Sequence, residues 1–450
     1  MRFMRFRPLA VLSALVLSVV VPAGAARADR VPGDQPLPGY TIDNPPLAPV
    51  QVHGKPSRVM QGVHRHAAYD IEVPPQWNGK LALWAHGYAG QGRVLKVEPP
   101  QYGLRQRLLD QGYAWAASSY YDNGYDVRAG VLSTRDVAEL FAREVGRPKQ
   151  RIIAGVSMGG HIIGRSLEQF PGYYGGALPM CGVLGDNELF DYFLDYNLVA
   201  QDLSGVREYP VTDRYATVTV PKIEAALGLA VLRPGGPDTT NERGKQFRSI
   251  VVGRTGGTRP GAEQSFAVWK DFPFTLAEPS VPGATLAESP GQVGTNLFTR
   301  YEPNSPVDVN RTVQRVRAEN LPARLSNRLS QVPRINGRPD VPVLSLHGLG
   351  DLFVPFSMEQ IYARDVARNH RSRLLVQRAV RTAQHCEFSN VEAATAWDDL
   401  VRWIGRGARP AGDVTTSPPV VARPDYGCRF SDPAAYAAGT GTRRLFPACP

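Results

Sequence analysis

The chain has 450 residues, 43% of them hydrophobic and 20% charged, with a formal charge of +10. That length allows one large core with an insertion, or two domains, and the balance is ordinary for a globular protein. The basic residues are scattered, with no dense patch and no nucleic-acid motif, which argues against a nucleic-acid partner.

Arg2, Arg5 and Arg7 precede the apolar run Leu9 to Val21, and Ala26-Arg27-Ala28 has the small-x-small form of a cleavage site. Residues 1–28 therefore read as a secretory signal peptide cut after Ala28. The run is short for an uncleaved anchor and ends in Pro22, Ala23 and Gly24. Loss of this segment removes four arginines and leaves a charge of +6. No later stretch is long and apolar enough to span a membrane, so the expected location is extracellular, without a stable membrane anchor. The sequence is silent on oligomeric state.

Residues 29–68 are rich in Pro and Gly and read as an extended arm. Residues 69–185 then alternate short apolar runs with helical patterns, the sign of a mostly parallel sheet with covering helices. Strands are expected at Ala68–Val73, Lys80–Ala85, Tyr113–Ser119, Arg151–Val156 and Ala177–Val183, and helices at Leu104–Gln111 and Val131–Val145. The alternation stops over residues 186–335. Glu188–Val199 and Pro221–Leu232 look helical there, while 235–260 and 279–296 are turn-rich, and the whole reads as a cap inserted between core strands. Residues 336–408 resume the core, with strands at Val341–Leu346 and Leu374–Ala379 and a closing helix at Val391–Ile404. Residues 409–450 form a Pro-rich tail.

Ser157 sits in Gly155-Val156-Ser157-Met158-Gly159, directly after the apolar run Ile152-Ile153-Ala154. G-x-S-x-G at a strand end, followed by helix-forming sequence, places the serine on a sharp strand-to-helix turn. A serine hydroxyl needs a base, and the base needs an orienting carboxylate. Downstream, the strand at Val341–Leu346 runs into His347-Gly348-Leu349-Gly350-Asp351-Leu352-Phe353-Val354-Pro355, which offers Asp351 as the acid. His385, in Thr382-Ala383-Gln384-His385-Cys386, lies just before the closing helix and is the candidate base.

With these motifs the chain resembles the α/β-hydrolase superfamily, in the form of secreted serine esterases and lipases. The resemblance covers roughly residues 69–186 and 341–407. It implies an α/β-hydrolase fold and an acyl-enzyme mechanism, with Ser157 as nucleophile, His385 as general base and then acid, and Asp351 as the orienter of the imidazole. The oxyanion hole would take the amide of Met158 and a second from His86-Gly87-Tyr88, with Tyr88 ahead of Gly87. Asp186 is the alternative acid. His86 reads as a brace of the oxyanion loop, His161 as a helix residue, His347 as strand-end packing and Asp365 as a solvated helix position.

Four cysteines follow the signal segment, an even count that suits two disulfides in an exported chain. Of three possible pairings, the closeness of Cys428 and Cys449 in the tail favours a local bridge and leaves Cys181 with Cys386. Two aromatic groups, Tyr120, Tyr121 and Tyr125, and Phe190, Tyr192, Phe193 and Tyr196, read equally as pocket lining or as packing. No metal-ligand spacing or dinucleotide fingerprint is present, so no cofactor or metal is expected. The leading function is hydrolysis of a small-molecule or polymeric carboxylic ester. A prolyl-oligopeptidase-like peptidase would use the same residues, although no propeller repeat precedes the core. A non-catalytic scaffold of the same fold is the third reading.

Overall fold

A computed structural model describes residues 32–276, 293–319 and 321–449. The expected signal peptide, the first residues of the arm and most of the turn-rich stretch at 279–296 lie outside the described residues. Eight strands form one sheet: β1 (Arg58–His64), β2 (Ala67–Val73), β3 (Lys80–Ala85), β4 (Ala114–Ser118), β5 (Gln150–Val156), β6 (Gly176–Met180), β7 (Val343–Gly348) and β8 (Leu375–Val380). Their spatial order is 1-2-4-3-5-6-7-8. β2 runs antiparallel to both of its neighbours, and all the other pairs are parallel.

The apolar runs are continuous because the central strands are covered on both faces. Leu81, Leu83 and Ala85 of β3 face one cluster, with Val137 and Phe141 of α2 (Val127–Glu144) and Ile162 and Ile163 of α3 (Met158–Gln169). Ala82 and Trp84 face the other, with Leu104 and Leu108 of α1 (Leu104–Asp110) and Trp397 and Leu400 of the closing helix (Asn390–Arg406). That closing helix starts at a full capping box, in which Ser389 and Glu392 satisfy each other's backbone amides.

Two elements differ from the sequence expectation. β1 falls inside the expected arm. Its hairpin to β2 turns on Arg65 (φ 49°) and His66 (φ 71°), so the Asn-Gly or Asp-Gly that usually marks such a turn is missing. The stretch expected to be turn-rich at 235–260 contains a helix, Glu242–Arg254, capped by the side chain of Asn241. Two internal glycines and a narrow buried stripe of Phe247, Ile250 and Val251 hide its period.

This helix belongs to a cap between β6 and β7, built around α4 (Glu188–Ser204), which is buried along nearly its whole length. Three acids on α4 hold the cap together. Asp191 accepts from Arg324 and from the amide of Thr295, Asp195 from Arg254 and the Tyr301 hydroxyl, and Asp202 from Arg207 and Thr312. Burial pushes the Asp191 carboxyl up to about 7 and Glu188 adds to that, while Arg324 and the Thr295 amide oppose it. Burial likewise carries Asp195 to about 6.

An unfolded aspartate titrates at about 3.9. Between about pH 4 and about pH 7 the folded chain therefore holds protons that the unfolded chain has released, so stability falls as pH rises through that window. Asp191→Asn removes one such group. The thermal midpoint of the variant, measured from pH 5 to pH 8, is expected to fall less steeply than that of the parent. Equal slopes would contradict this account of the cap.

Candidate active site

The parallel strands β3, β5, β6, β7 and β8 all end on one edge of the sheet, and the loops that leave them there carry the candidate residues. In α/β sheets this edge is where ligands bind. Ser157 joins β5 to α3 at φ 57° and ψ −123°, a positive-φ conformation outside the left-handed helical well that is costly for a residue with a side chain. The turn closes because its flanking residues are glycines. A Cβ on Gly155 or on Gly159 would stand 2.1 Å from the carbonyl oxygen of Ala85 on β3. The Ser157 backbone is tied down on both sides: its amide donates to Met180 (3.1 Å), and its carbonyl accepts from Gly160 (2.8 Å) and Val183 (3.1 Å).

Asp351 follows β7 and is fully buried. Its Oδ1 accepts from the amides of Phe353 (2.9 Å) and Val354 (3.0 Å). Its Oδ2 lies 2.6 Å from Nδ1 of His385, and Nε2 of His385 lies 2.8 Å from Oγ of Ser157. An ionised carboxylate only accepts, so Nδ1 carries the proton and Nε2 is left to accept from the serine hydroxyl. Asp186, the alternative acid, is engaged elsewhere. Burial pushes its carboxyl up to about 6, and it accepts from the amides of Ile335 and Asn187.

The two loops are stitched together, Leu349 donating to Val380 and Gly350 to Thr382, each at 2.8 Å. Behind them, Nε2 of His347 donates to Val354 O (2.8 Å) and its Nδ1 faces Glu359 (3.3 Å). Burial alone would lower the His347 imidazole, but the Glu359 carboxylate outweighs it and the net direction is upward. A bridge joins Cys181, just past the end of β6, to Cys386, next to the candidate base, and a second joins Cys428 to Cys449. Among the described residues, Cys181, His385 and Cys386 come close enough together to bracket an ion, but both sulfurs are committed to the disulfide.

Gly87 lies against the serine, since a Cβ there would be 3.0 Å from Ser157 Cβ. His86 is buried, stacks on Tyr120 at 3.9 Å, and engages the Gly87 carbonyl at 2.7 Å. Burial pushes its imidazole below the usual range. His161 points elsewhere, to the Tyr125 hydroxyl (2.9 Å) and Pro333 O (2.6 Å), and burial takes it down to about 4.

The cap reaches both loops: Tyr192 donates to Leu352 (3.0 Å), Arg259 to Leu349 (2.6 Å) and Trp269 to Ala383 (2.6 Å). The sequence gives no local cue for Arg259 or Trp269, because their partners lie 90 and 114 residues away. Of the aromatic groups, Tyr120, Tyr125, Tyr192 and Tyr196 are fully buried. Phe193 stacks on the partly buried Phe353, whose ring lies 5.0 Å from that of His385.

No family model matches the chain. A stretch of 75 residues is 32% identical to an o-phthalyl amidase of Xanthobacter agilis, and the match spans 17% of either chain. Among solved structures, the chain is similar to Candida antarctica lipase A in its closed state, with a TM-score of 0.43 and 11% identity over 87% of this chain and 85% of that one. It is also similar to an esterase from Aspergillus oryzae, with a TM-score of 0.41 and 12% identity over 80% and 82%.

Gly155→Ala is expected to cost about 1–3 kcal/mol through forced displacement of β3, read by urea unfolding. A variant as stable as the parent would show that the elbow is not packed as described. The strand order, the single antiparallel strand within the sheet and the strand-to-helix elbow at Ser157 give this chain the α/β-hydrolase fold.

Proposed function

We propose that the chain is a serine hydrolase that cleaves carboxylic esters through an acyl-enzyme. One observation carries the reading: the unbroken series from buried Asp351 through His385 to Ser157, with contacts of 2.6 and 2.8 Å. His385 Nε2 takes the hydroxyl proton as Ser157 Oγ attacks the ester carbonyl carbon. The negative charge that develops on the carbonyl oxygen is met by the amide of Met158 and by that of Tyr88 or Gly87. The carbon–oxygen bond to the alcohol then breaks, and His385 returns the proton to the leaving oxygen. Water repeats the sequence on the acyl-enzyme and frees the acid. Asp351 holds the tautomer and stabilises the imidazolium throughout.

The leaving group departs on the side of His385, where Phe353 is backed by Phe272 at 4.8 Å. This wall favours esters with an apolar or aromatic portion. Amide hydrolysis is a second reading, favoured by the short stretch shared with an amidase. The sequence features of residues 1–28 and the two disulfides support export of the chain.

Hydrolysis of p-nitrophenyl esters of graded acyl length, beside p-nitroanilides, tests the assignment. Ester turnover is expected to exceed anilide turnover and to fall by about 10⁴-fold or more in Ser157→Ala. Faster anilide cleavage would favour the amidase reading, and turnover that survives the substitution would remove Ser157 from the chemistry.

A further inference from the structure

The segment that carries His385 is short, running from Arg381 to Ser389 between β8 and the closing helix, and the C-terminal tail grips it along most of its length. Arg381 is fully buried with no carboxylate among its hydrogen-bond partners. Its guanidinium donates to the carbonyls of Pro424, Tyr426 and Pro447 and to the Tyr436 hydroxyl, and its amide donates to Ser431 Oγ. A buried cation is tolerated only where its donors are satisfied, so this cage fixes the tail on the end of β8.

Closer to the base, Thr442 does three things. Its Oγ1 accepts from the amides of Ala383 (2.7 Å) and Gln384 (3.3 Å), the two residues before His385. The same hydroxyl donates to Glu387, two residues after His385, and the Thr442 amide donates to Glu387 Oε1 at 2.9 Å. One side chain thus spans the histidine from both sides. The neighbouring Gly441 leaves room for this, since a Cβ there would lie 1.9 Å from Glu387 Oε1. Arg443 adds contacts to Glu387 and to Glu392 in the capping box, and the Cys428–Cys449 bridge closes the tail segment that holds Thr442.

We propose that Thr442 is a positioning residue for the reaction: the tail sets the place of the His385 imidazole through it. This rests on the serine-hydrolase reading above. Without the hydroxyl the Ala383 amide loses its acceptor and the Gln384 amide keeps only Glu387 Oε2 at 3.3 Å, and a displacement of about 1 Å at the base is enough to cost roughly 10²-fold in rate. Substrate binding does not pass through this contact, so the effect falls on kcat and not on KM.

The test compares Thr442→Val, which removes the hydroxyl, with Thr442→Ser, which keeps it. Thr442→Val is expected to lower kcat by roughly 10- to 100-fold with KM within about twofold, and Thr442→Ser to restore most of the loss. Amide exchange at Ala383 in Thr442→Val should be roughly fivefold to tenfold faster than in the parent. If Thr442→Val does not fold, Glu387→Ala, which frees the Thr442 hydroxyl to rotate, is expected to show the same kcat-selective loss. A folded Thr442→Val with parental kcat in an active parent overturns the proposal, as does a loss that Thr442→Ser shares in full. Absence of Ser157-dependent turnover in the parent overturns the hydrolase reading and this one with it, whereas unchanged kcat overturns this one alone.

Discussion

The carbonyl oxygen of Ala85 lies 2.1 Å from where a Cβ on either Gly155 or Gly159 would be. Two glycines therefore let the turn after β5 press directly onto β3, and the serine between them is forced to positive φ, up and out of the sheet. Everything else in the candidate site is arranged around that fixed point. The sheet registers β5 beside β3 and β6, so the loop at Gly87 arrives beside the serine, and the chain past Met180 supplies the amide of Val183 to the serine's own carbonyl.

The loops that carry Asp351 and His385 come from the neighbouring strands β7 and β8 and are bound to each other before they meet the serine. Asp351 is buried, and the amides of Phe353 and Val354 take up its second oxygen, so its carboxylate has one direction left in which to act, towards His385. The surroundings over-determine this geometry from three sides. The cap donates to the carbonyls of Leu349, Leu352 and Ala383, a disulfide anchors Cys386 to the strand end at Cys181, and the tail encloses Arg381.

The residues that meet at the candidate site were legible because each follows its own apolar run within a few positions, and because G-x-S-x-G is a local motif whose glycines have a local reason. The central strands were legible for the same reason, as burial on both faces leaves uninterrupted Val, Ile, Leu and Ala. What was hidden is non-local or weakly patterned. β1 turns on Arg65 and His66, which give no hairpin signal, and the helix at Glu242–Arg254 buries too few residues to show a period. Thr442, Arg259 and Trp269 act on loops 55 to 114 residues away, and nothing in their own neighbourhoods announces it.

The central claim is that Asp351, through His385, activates Ser157. The most direct measurement is the rate of covalent labelling by a fluorophosphonate, with the adduct located by mass spectrometry, in the parent and in Asp351→Asn. The account predicts one adduct, on Ser157, forming about 10³- to 10⁴-fold more slowly in the variant, because the imidazole then loses its orienting acceptor. No adduct on Ser157 in the parent, or equal labelling rates in the two proteins, would contradict it.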